Sequence, residues 1–139
     1  MSEEVTCYCG AVKVTLTGEP TMQCLCHCSD CRRWNGSVAF AAKMFASENV
    51  KVEGELIGIP FVEGCKAQRR SCAKCGGCVL NDLTHSMKSM NVCAGLSAKP
   101  FAPTMHMFYS EKMMAIKDGL PKFKDMPAPF GGSGEMLEE

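Results

Sequence analysis

The sequence predicts a single, compact, mainly β domain. Its 139 residues are enough for one domain with a hydrophobic core and too few for two ordinary domains. No long segment repeats its apolar residues with the 3.6-residue period of a helix, whereas short segments of strand character recur between glycines and prolines. We expect the 11 methionines to fill gaps in a small, irregular core.

Alternation identifies the first strands. In "CYCGAVKVTLTG", Val12, Val14 and Leu16 alternate with polar residues, which predicts a strand with one buried face. Residues 18–20, Gly-Glu-Pro, turn the chain, and "TMQCLCHC" follows as a second extended segment.

A short helical turn is predicted over "SDCRRWNG". Ser29 is the expected N-cap, and Asn35 with Gly36 is the expected stop. Further strands are predicted at 37–44, 50–56, 65–71, 78–83, 89–95 and 103–110, with a single helical turn at 110–116. Residues 1–127 form the predicted domain, and the Gly-rich, acidic segment 128–139 is a predicted flexible tail.

Charge excludes some classes of partner. The 15 basic residues balance the 15 acidic ones, so the total charge gives no reason to expect nucleic acid or an anionic membrane. The start, "MSEEVTCYCG", is acidic and lacks an apolar signal core, and no apolar run is long enough for a membrane span. We therefore expect a cytoplasmic protein.

The 11 cysteines are the strongest compositional signal. A secreted disulfide scaffold would explain their density, but the number is odd and no signal peptide is recognised. Eight of the thiols belong to clusters with C-x-C and C-x-x-C spacings that we expect to suit a shared metal ion better than a disulfide: Cys7, Cys9, Cys24, Cys26, Cys28, Cys31, Cys72 and Cys75. Cys78, which follows Cys75 by three residues, is not counted with them.

The first expected metal site is a four-cysteine cluster, which joins Cys7-x-Cys9 to Cys72-x-x-Cys75. On a strand, Cys7 and Cys9 would point to the same face, and "CAKCGG" has the form of a zinc knuckle. Four thiolates make a closed structural zinc site. The alternative, redox chemistry at C-x-x-C, requires a thioredoxin-like context that the sequence lacks.

The second expected site is a three-cysteine cluster of Cys26, Cys28 and Cys31. Three protein ligands leave a fourth coordination position for water or substrate, as in catalytic zinc sites. Cys24 leaves an alternative open, because it lies two residues before Cys26 and would close the site if it were a ligand. Spacing favours the open site, since steps of about 7 Å along a strand are long for three ligands of one ion.

Residues beside the three-cysteine cluster give weaker evidence of a functional role. Arg32 and Arg33 follow the last ligand and form either a solvated basic face or a grip on a substrate carboxylate. His27 is expected to pack or to support the site rather than to bind metal. The remaining candidates are expected to be core or hydrogen-bonded residues: Trp34, Cys65, Cys78, His85, Cys93 and His106.

These motifs resemble those of the glutathione-dependent formaldehyde-activating enzymes, a family that also contains centromere protein V. The resemblance is carried by "CYCGAV", "CHCSDCRRWNGS", "RRSCAKCGG" and "HMFYSEKMMAIKDGLPKF", in this order along nearly the whole chain. It implies an Mss-type fold, shared with methionine-R-sulfoxide reductases, built on small antiparallel sheets with zinc knuckles. It also implies two zinc ions per chain, one on the four-cysteine cluster and one on the three-cysteine cluster.

The implied activity is that of a carbon–sulfur lyase, acting on a thiol–aldehyde adduct such as S-hydroxymethylglutathione. Glutathione is the expected partner. The expected catalytic site consists of Cys26, Cys28 and Cys31. The carboxylates of glutathione would be held by Arg32, Arg33 or Lys74. The alternatives are a non-catalytic zinc module for protein binding and a cysteine-based reductase that uses Cys24, Cys65 or Cys93. This sequence departs from its relatives at Cys24, Ser71 and Met114, which bears on the identity of the substrate.

Overall fold

A computed structural model describes residues 1–139 and is mainly β, as predicted. The ten strands are β1 (Ser2–Thr6), β2 (Lys13–Thr17), β3 (Met22–Cys26), β4 (Phe40–Ala46), β5 (Val50–Glu53), β6 (Leu56–Pro60), β7 (Gln68–Cys72), β8 (Cys78–Leu83), β9 (Ser89–Cys93) and β10 (Met105–Met107). The helices are α1 (Ser29–Asn35) and α2 (Thr84–Met87), with 3-10 turns at Ser47–Asn49, Ala94–Leu96, Tyr109–Glu111 and Ala128–Phe130. None of the helices has the length and hydrophobicity that crossing a bilayer requires.

The chain forms two units. The first unit consists of Met1–Thr21 and Lys43–Pro100, and the second unit consists of Met22–Ala42 and Phe101–Glu139. Each unit therefore combines two segments that are distant in sequence.

The first unit contains a three-stranded antiparallel sheet in the order β1-β2-β5. Val5, Val14 and Val52 stand opposite one another across these strands. A second run of strands in this unit has the order β4-β9-β8-β7-β6. Because alternate residues of a strand face opposite sides, each strand can place one row of side chains in the core.

The hydrophobic core of the first unit includes two of the candidate ligands. Its buried members are Val5, Cys7, Val12, Val14, Leu16, Phe45, Cys72, Val79, Leu80 and Val92. The predicted alternation at Val12, Val14 and Leu16 is confirmed, since all three side chains are at most 2% exposed. The four-cysteine cluster is thus anchored in the core of this unit.

Lys43 is a buried charge in the first unit, with 4% exposure. Its ammonium donates hydrogen bonds to Ser97 Oγ at 3.2 Å, to the Lys99 carbonyl at 3.1 Å and to the Pro100 carbonyl at 3.2 Å. Three acceptors satisfy its three N–H groups, which is what burial of an ammonium requires.

In the second unit, β3 lies between β10 and β4 in the strand order, and β4 contributes its residues 40–42 to this unit. β10 pairs with β3 in parallel, with His106 opposite Leu25 and Met107 opposite Cys26. The pairing continues past the end of β3, because the His27 N–H donates to the Met107 carbonyl at 2.9 Å. β10 therefore supports the segment that carries the three-cysteine cluster.

Helix α1 follows at once, and the expected N-cap is displaced by one residue. Cys28, rather than Ser29, is the N-cap, and its Sγ accepts a hydrogen bond from the Cys31 N–H at 3.3 Å. A thiol is a weaker acceptor than a hydroxyl, so sequence preference favoured the serine. The expected stop is confirmed at Gly36, which has φ 68° and donates to the Arg32 carbonyl.

Several strand expectations need correction. β1 was not predicted, because only Val5 of its five residues is buried. The strand expected at 50–56 ends at Glu53, because at Gly54 φ is 105° and an added Cβ would lie 2.4 Å from the Ala11 carbonyl oxygen. β6 begins at Leu56, and its remaining residues, 57–60, were not predicted as a strand. The helical turn expected at 110–116 is wrong apart from its first two residues, which end the 3-10 turn Tyr109–Glu111.

The flexible tail and the boundary after residue 127 stay predictions. Within the second unit, residues of this segment do make hydrogen bonds: the Leu137 N–H donates to the Lys122 carbonyl at 2.7 Å, and Glu135 accepts from the Lys124 N–H at 2.8 Å. Phe123 and Met136 form an isolated antiparallel bridge.

Candidate metal centres

The four sulfurs predicted for the first site come together within the first unit. The Sγ atoms of Cys7, Cys9, Cys72 and Cys75 all lie within 4.8 Å of one another. Cys7 Sγ is 3.7 Å from Cys9 Sγ, and Cys9 Sγ is 3.8 Å from Cys72 Sγ. This donor set could hold a metal ion.

Two turns build this cluster. Cys7 and Cys9 lie in the turn between β1 and β2, so the expectation that a strand carries them is wrong, although the two thiols do converge. Gly10 closes this turn at φ 83°, and its N–H donates to the Cys7 carbonyl. Cys72 ends β7, and Gly76 at φ 75° closes the second turn with a hydrogen bond to the Cys72 carbonyl.

Backbone N–H groups point at the sulfurs of the four-cysteine cluster. Cys72 Sγ accepts from the Lys74 N–H at 3.3 Å and from the Cys75 N–H at 3.4 Å. Cys7, Cys9 and Cys75 each accept one further N–H, from Val12, Ala11 and Gly77 respectively, at 3.4 to 3.5 Å. Such donors stabilise thiolate charge, as the ligands of a metal require.

The pKa values in the four-cysteine cluster follow this arrangement. Burial alone would raise the pKa of Cys7, but the Val12 N–H and the neighbouring thiols lower it to about 6. The Ala11 N–H acts to lower the pKa of Cys9, whereas burial and the three nearby thiols raise it to about 11. One thiolate in the group opposes the ionisation of the next, so a shared cation is the natural way for all four to ionise.

The three-cysteine cluster lies within the second unit. The Sγ atoms of Cys26, Cys28 and Cys31 all lie within 4.8 Å of one another. Cys26 is the last residue of β3, Cys28 is the N-cap of α1, and Cys31 is buried in its first turn. The end of β3 thus contributes one sulfur and the start of α1 contributes two, so the expectation that the extended segment carries both Cys26 and Cys28 is wrong at Cys28.

Crowding of these thiols opposes their ionisation. The Cys28 and Cys31 side chains, and then burial, raise the pKa of Cys26. The Cys26 thiol acts to lower the pKa of Cys28, but Cys31 and burial outweigh it and raise that pKa. As in the four-cysteine cluster, a bound cation would offset the charge of three adjacent thiolates.

Cys24 does not join this group. Its Sγ lies outside the set of three mutually close sulfurs, and its side chain is only 4% exposed. Burial and the charge of Cys31 raise the pKa of Cys24 to about 12. The structure therefore describes Cys24 as a core thiol beside three grouped sulfurs.

Arg32 makes hydrogen bonds to other residues of the chain. Its Nε donates to the His27 carbonyl at 3.1 Å, and its Nη2 donates to the Glu111 carbonyl at 3.2 Å. Its Nη1 lies 3.7 Å from Met113 Sδ. Arg32 thereby ties the start of α1 to the segment after β10, and two of its five N–H groups remain for other acceptors.

The other two predicted substrate residues are both exposed, and they belong to different units. Arg33 lies on α1 in the second unit. Lys74 lies in the first unit, beside the four-cysteine cluster, where it lines a cavity of about 280 Å³ with Ala11, Glu55, Cys72 and Ala73.

A row of polar side chains, buried at His27, His106 and Lys122 and exposed at Asp118 and Glu139, adjoins the three-cysteine segment in the second unit. His27 Nε2 lies 2.8 Å from His106 Nδ1, and His106 Nε2 lies 2.7 Å from Asp118 Oδ2. Asp118 Oδ1 accepts from the Lys122 ammonium, which also binds Glu139 Oε2 at 3.2 Å. We call these five residues the His27–Glu139 row.

Burial and nearby charges shift the pKa values of two members of this row, His27 and Asp118. His27 is 1% exposed and His106 is 0% exposed. Burial, followed by the charges of His106 and nearby cations, lowers the pKa of His27 to about 4. Burial alone would raise the pKa of Asp118, but hydrogen bonds from Lys122 and His106 hold it well below its usual range.

Sequence reasoning missed Asp118, Lys122, Glu139 and Tyr109. The Tyr109 ring is 0% exposed and packs edge-on against both His27 and His106. The nearest signal was His106 on an alternating strand, expected to be hydrogen-bonded, which is confirmed. Asp118 lies 12 residues from His106, a separation that follows no helix or strand period.

The remaining candidates occupy ordinary positions. Trp34 is half-buried and contacts Phe40 edge-on at 5.7 Å between ring centroids. Burial raises the pKa of Cys93 to about 12 and also raises that of Cys78. His85 is exposed in the short helix α2, so it is not a core residue.

Comparison with known proteins identifies the family. The sequence pattern described as "Glutathione-dependent formaldehyde-activating enzyme" matches residues 2–111. The fold is similar to that in a crystal structure of a Rhodobacter sphaeroides protein, with a TM-score of 0.56 and 21% identity over 70% of this chain and 90% of that one. No curated protein matches the sequence. Since the matched residues include both clusters, the chain belongs to the glutathione-dependent formaldehyde-activating enzyme family.

Proposed function

We propose that this protein is a zinc-dependent carbon–sulfur lyase that acts on a thiol–aldehyde adduct such as S-hydroxymethylglutathione. The observation that carries the proposal is the difference in ligand number between the two clusters, in a chain of this family. Four thiolates complete a tetrahedral shell, whereas three leave one position for substrate.

The sulfur positions of the four-cysteine cluster fit zinc. Sulfurs at the corners of a tetrahedron, each about 2.3 Å from a zinc ion, are about 3.8 Å apart. The two measured separations in the four-cysteine cluster are 3.7 and 3.8 Å. The Mss-type fold, with two zinc ions per chain, accords with the mainly β architecture and with these two groups of thiols.

The reaction joins sulfur to carbon. As the glutathione sulfur bonds to the formaldehyde carbon, the carbonyl electron pair moves to oxygen, and the proton lost by the thiol ends on that oxygen. A zinc ion held by Cys26, Cys28 and Cys31 would supply Lewis acidity to the aldehyde or stabilise the thiolate of glutathione. The lyase direction reverses each bond change.

The chain's own residues bind and orient the substrate. Arg33 is exposed on α1, two residues after Cys31, and offers a bidentate fork for a glutathione carboxylate. Arg32 uses three N–H groups to hold its own segment and has two for substrate. Lys74 remains a third candidate for a carboxylate.

A cysteine-based reductase that uses Cys24 or Cys93 as its nucleophile is less well supported. A catalytic thiol has a lowered pKa and partial exposure. Burial instead raises the pKa of Cys24 and of Cys93 to about 12.

The test combines native mass spectrometry with NMR exchange between free glutathione and its formaldehyde adduct. We expect two zinc ions per chain, a bound glutathione, and exchange faster than in buffer. Cys28→Ser should lose one zinc, the bound glutathione and at least about 100-fold in rate, since even residues that only support a metal ligand contribute 10- to 100-fold. Cys65→Ser is the matched control, because Cys65 lies in neither cluster. Two zinc ions without bound glutathione and without acceleration would contradict the proposal.

A further inference from the structure

The hydrogen bonds of the His27–Glu139 row restrict where each imidazole can carry its proton. Lys122 and the Leu120 N–H both donate to Asp118 Oδ1, which leaves Oδ2 to face His106 Nε2 at 2.7 Å. A carboxylate only accepts hydrogen bonds, so His106 must carry a proton on Nε2.

The direction of the next hydrogen bond follows from the first. When Nε2 carries the single ring proton of the fully buried His106, its Nδ1 presents a lone pair. His27 Nε2 lies 2.8 Å from that Nδ1 and must therefore donate. His27 Nδ1 is then left as an acceptor, and no donor of the chain reaches this buried atom.

The opposite tautomer of His27, with its proton on Nδ1, would leave a less favourable set of hydrogen bonds. If His27 carried its proton on Nδ1, that N–H would be buried without an acceptor, and the His106–His27 bond would have to reverse. Orphaned buried N–H groups are rarer than under-satisfied acceptors.

We propose that Asp118 and His106 are positioning residues that act through His27: they fix its proton on Nε2, so that a bare Nδ1 acceptor is buried in the segment between Cys26 and Cys28. We call this arrangement the tautomer lock. The lock itself does not depend on the proposed function, and only its effect on catalysis rests on that proposal. The backbone strengthens the link, because the His27 N–H and carbonyl are bound by Met107 and by Arg32.

One substitution should move the ring protons of His106 and His27 to the opposite nitrogens. In Asp118→Asn, the Lys122 ammonium and the Leu120 N–H still require an acceptor, so the amide oxygen must take the place of Oδ1. The amide NH2 then faces His106 Nε2, which must become an acceptor. The proton of His106 moves to Nδ1, and that of His27 moves from Nε2 to Nδ1.

Imidazole ¹⁵N NMR of the metal-loaded protein reads these tautomers directly. The chain has three histidines, and exposed His85 serves as an internal reference. We expect protonated Nε2 on His27 and His106 in the wild type, and protonated Nδ1 on both in Asp118→Asn. Asp125→Asn is the matched control, since Asp125 binds Met126 and Ser133 instead, and should keep the wild-type pattern. A wild type with protonated Nδ1 on His27, or an Asp118→Asn protein with unchanged tautomers, would overturn the lock.

Activity separates this inference from the proposed function. The spectra need no turnover, so an inactive wild type would contradict the proposed function while the spectra still decide on the lock. In an active protein, Asp118→Asn should lower kcat at least tenfold with both metal ions retained. Reversed tautomers with an undiminished kcat would overturn the positioning role.

Discussion

The Glu111 carboxylate accepts a 3.1 Å hydrogen bond from the backbone N–H of Ser29, which lies 82 residues earlier in the chain. Ser29 is the first residue of α1, and its N–H has no partner within the helix. A carboxylate here also interacts favourably with the helix dipole. The contact joins the helix that carries Cys31 to the segment after β10.

Loss of this contact should weaken the second unit. We expect Glu111→Ala to lower the free energy of unfolding by about 1 kcal/mol, the usual effect of removing a helix cap. Chemical denaturation would measure it, with exposed Glu138→Ala as the control. Equal stabilities of the two variants would show that the cap contributes nothing.

Substitutions in the four-cysteine cluster should differ in severity. Cys72 is 0% exposed within the hydrophobic core, whereas Cys9 is exposed. Both Cys72→Ser and Cys9→Ser should lose one metal ion by native mass spectrometry. Cys72→Ser should lose about 2 kcal/mol more stability, because it also buries a hydroxyl in apolar surroundings. A Cys9→Ser protein as unstable as Cys72→Ser would contradict this difference.

Asp118 should make the protein acid-sensitive. Its folded pKa lies below the unfolded value of about 3.9, so its contribution to stability is complete above that value and is lost as the pH falls toward the folded pKa. We expect the free energy of unfolding to decrease more steeply below about pH 5 in the wild type than in Asp118→Asn. Denaturant titrations at pH 7, 5, 4 and 3 would show it, and parallel curves for the two proteins would count against it.

Lys88 offers a stabilising substitution. It follows α2 with φ 52°, a conformation that glycine adopts without strain. The side chain is exposed, so Lys88→Gly should raise the free energy of unfolding by about 0.5–1 kcal/mol. Lys88→Ala is the control, because it keeps a Cβ and should give no such gain. If alanine stabilises as much as glycine, backbone strain is not the cause.

Buried thiols should resist alkylation. With a pKa of about 12, only about one in 10⁴ molecules carries a Cys24 or Cys93 thiolate at pH 8. Brief treatment of native protein with iodoacetamide, followed by peptide mass spectrometry, should leave both unmodified until denaturant is added. Rapid labelling of either thiol in the native state would instead favour the reductase alternative.

The cysteine clusters were predictable because their spacing is local. C-x-C and C-x-x-C place ligands within one turn, and only the joining of Cys7 and Cys9 to Cys72 and Cys75 required long-range information. The same spacing does not distinguish a strand from a turn, which is why the prediction of a strand at Cys7 was wrong. Strand β8 was predicted with its observed bounds, since a glycine pair precedes its apolar residues.

The His27–Glu139 row had no comparable signal. His27 and His106 are 79 residues apart, and their contact depends on the parallel pairing of β10 with β3. Sequence periodicity describes which face of an element is buried, and it does not indicate which polar residues of different elements will meet there. Asp118 and Lys122 lie outside any helix or strand, so no period marked them.

Lys43 fastens the beginning of the segment Lys43–Pro100 to its end, since its ammonium reaches the Pro100 carbonyl 57 residues later. A stretch of chain whose two ends meet can be lengthened, shortened or exchanged as a block, because the polypeptide on either side need not be rerouted. An exchange at this place would have to keep Cys72 and Cys75 able to meet Cys7 and Cys9, and β5 able to pair with β2, because these partners lie in Met1–Thr21.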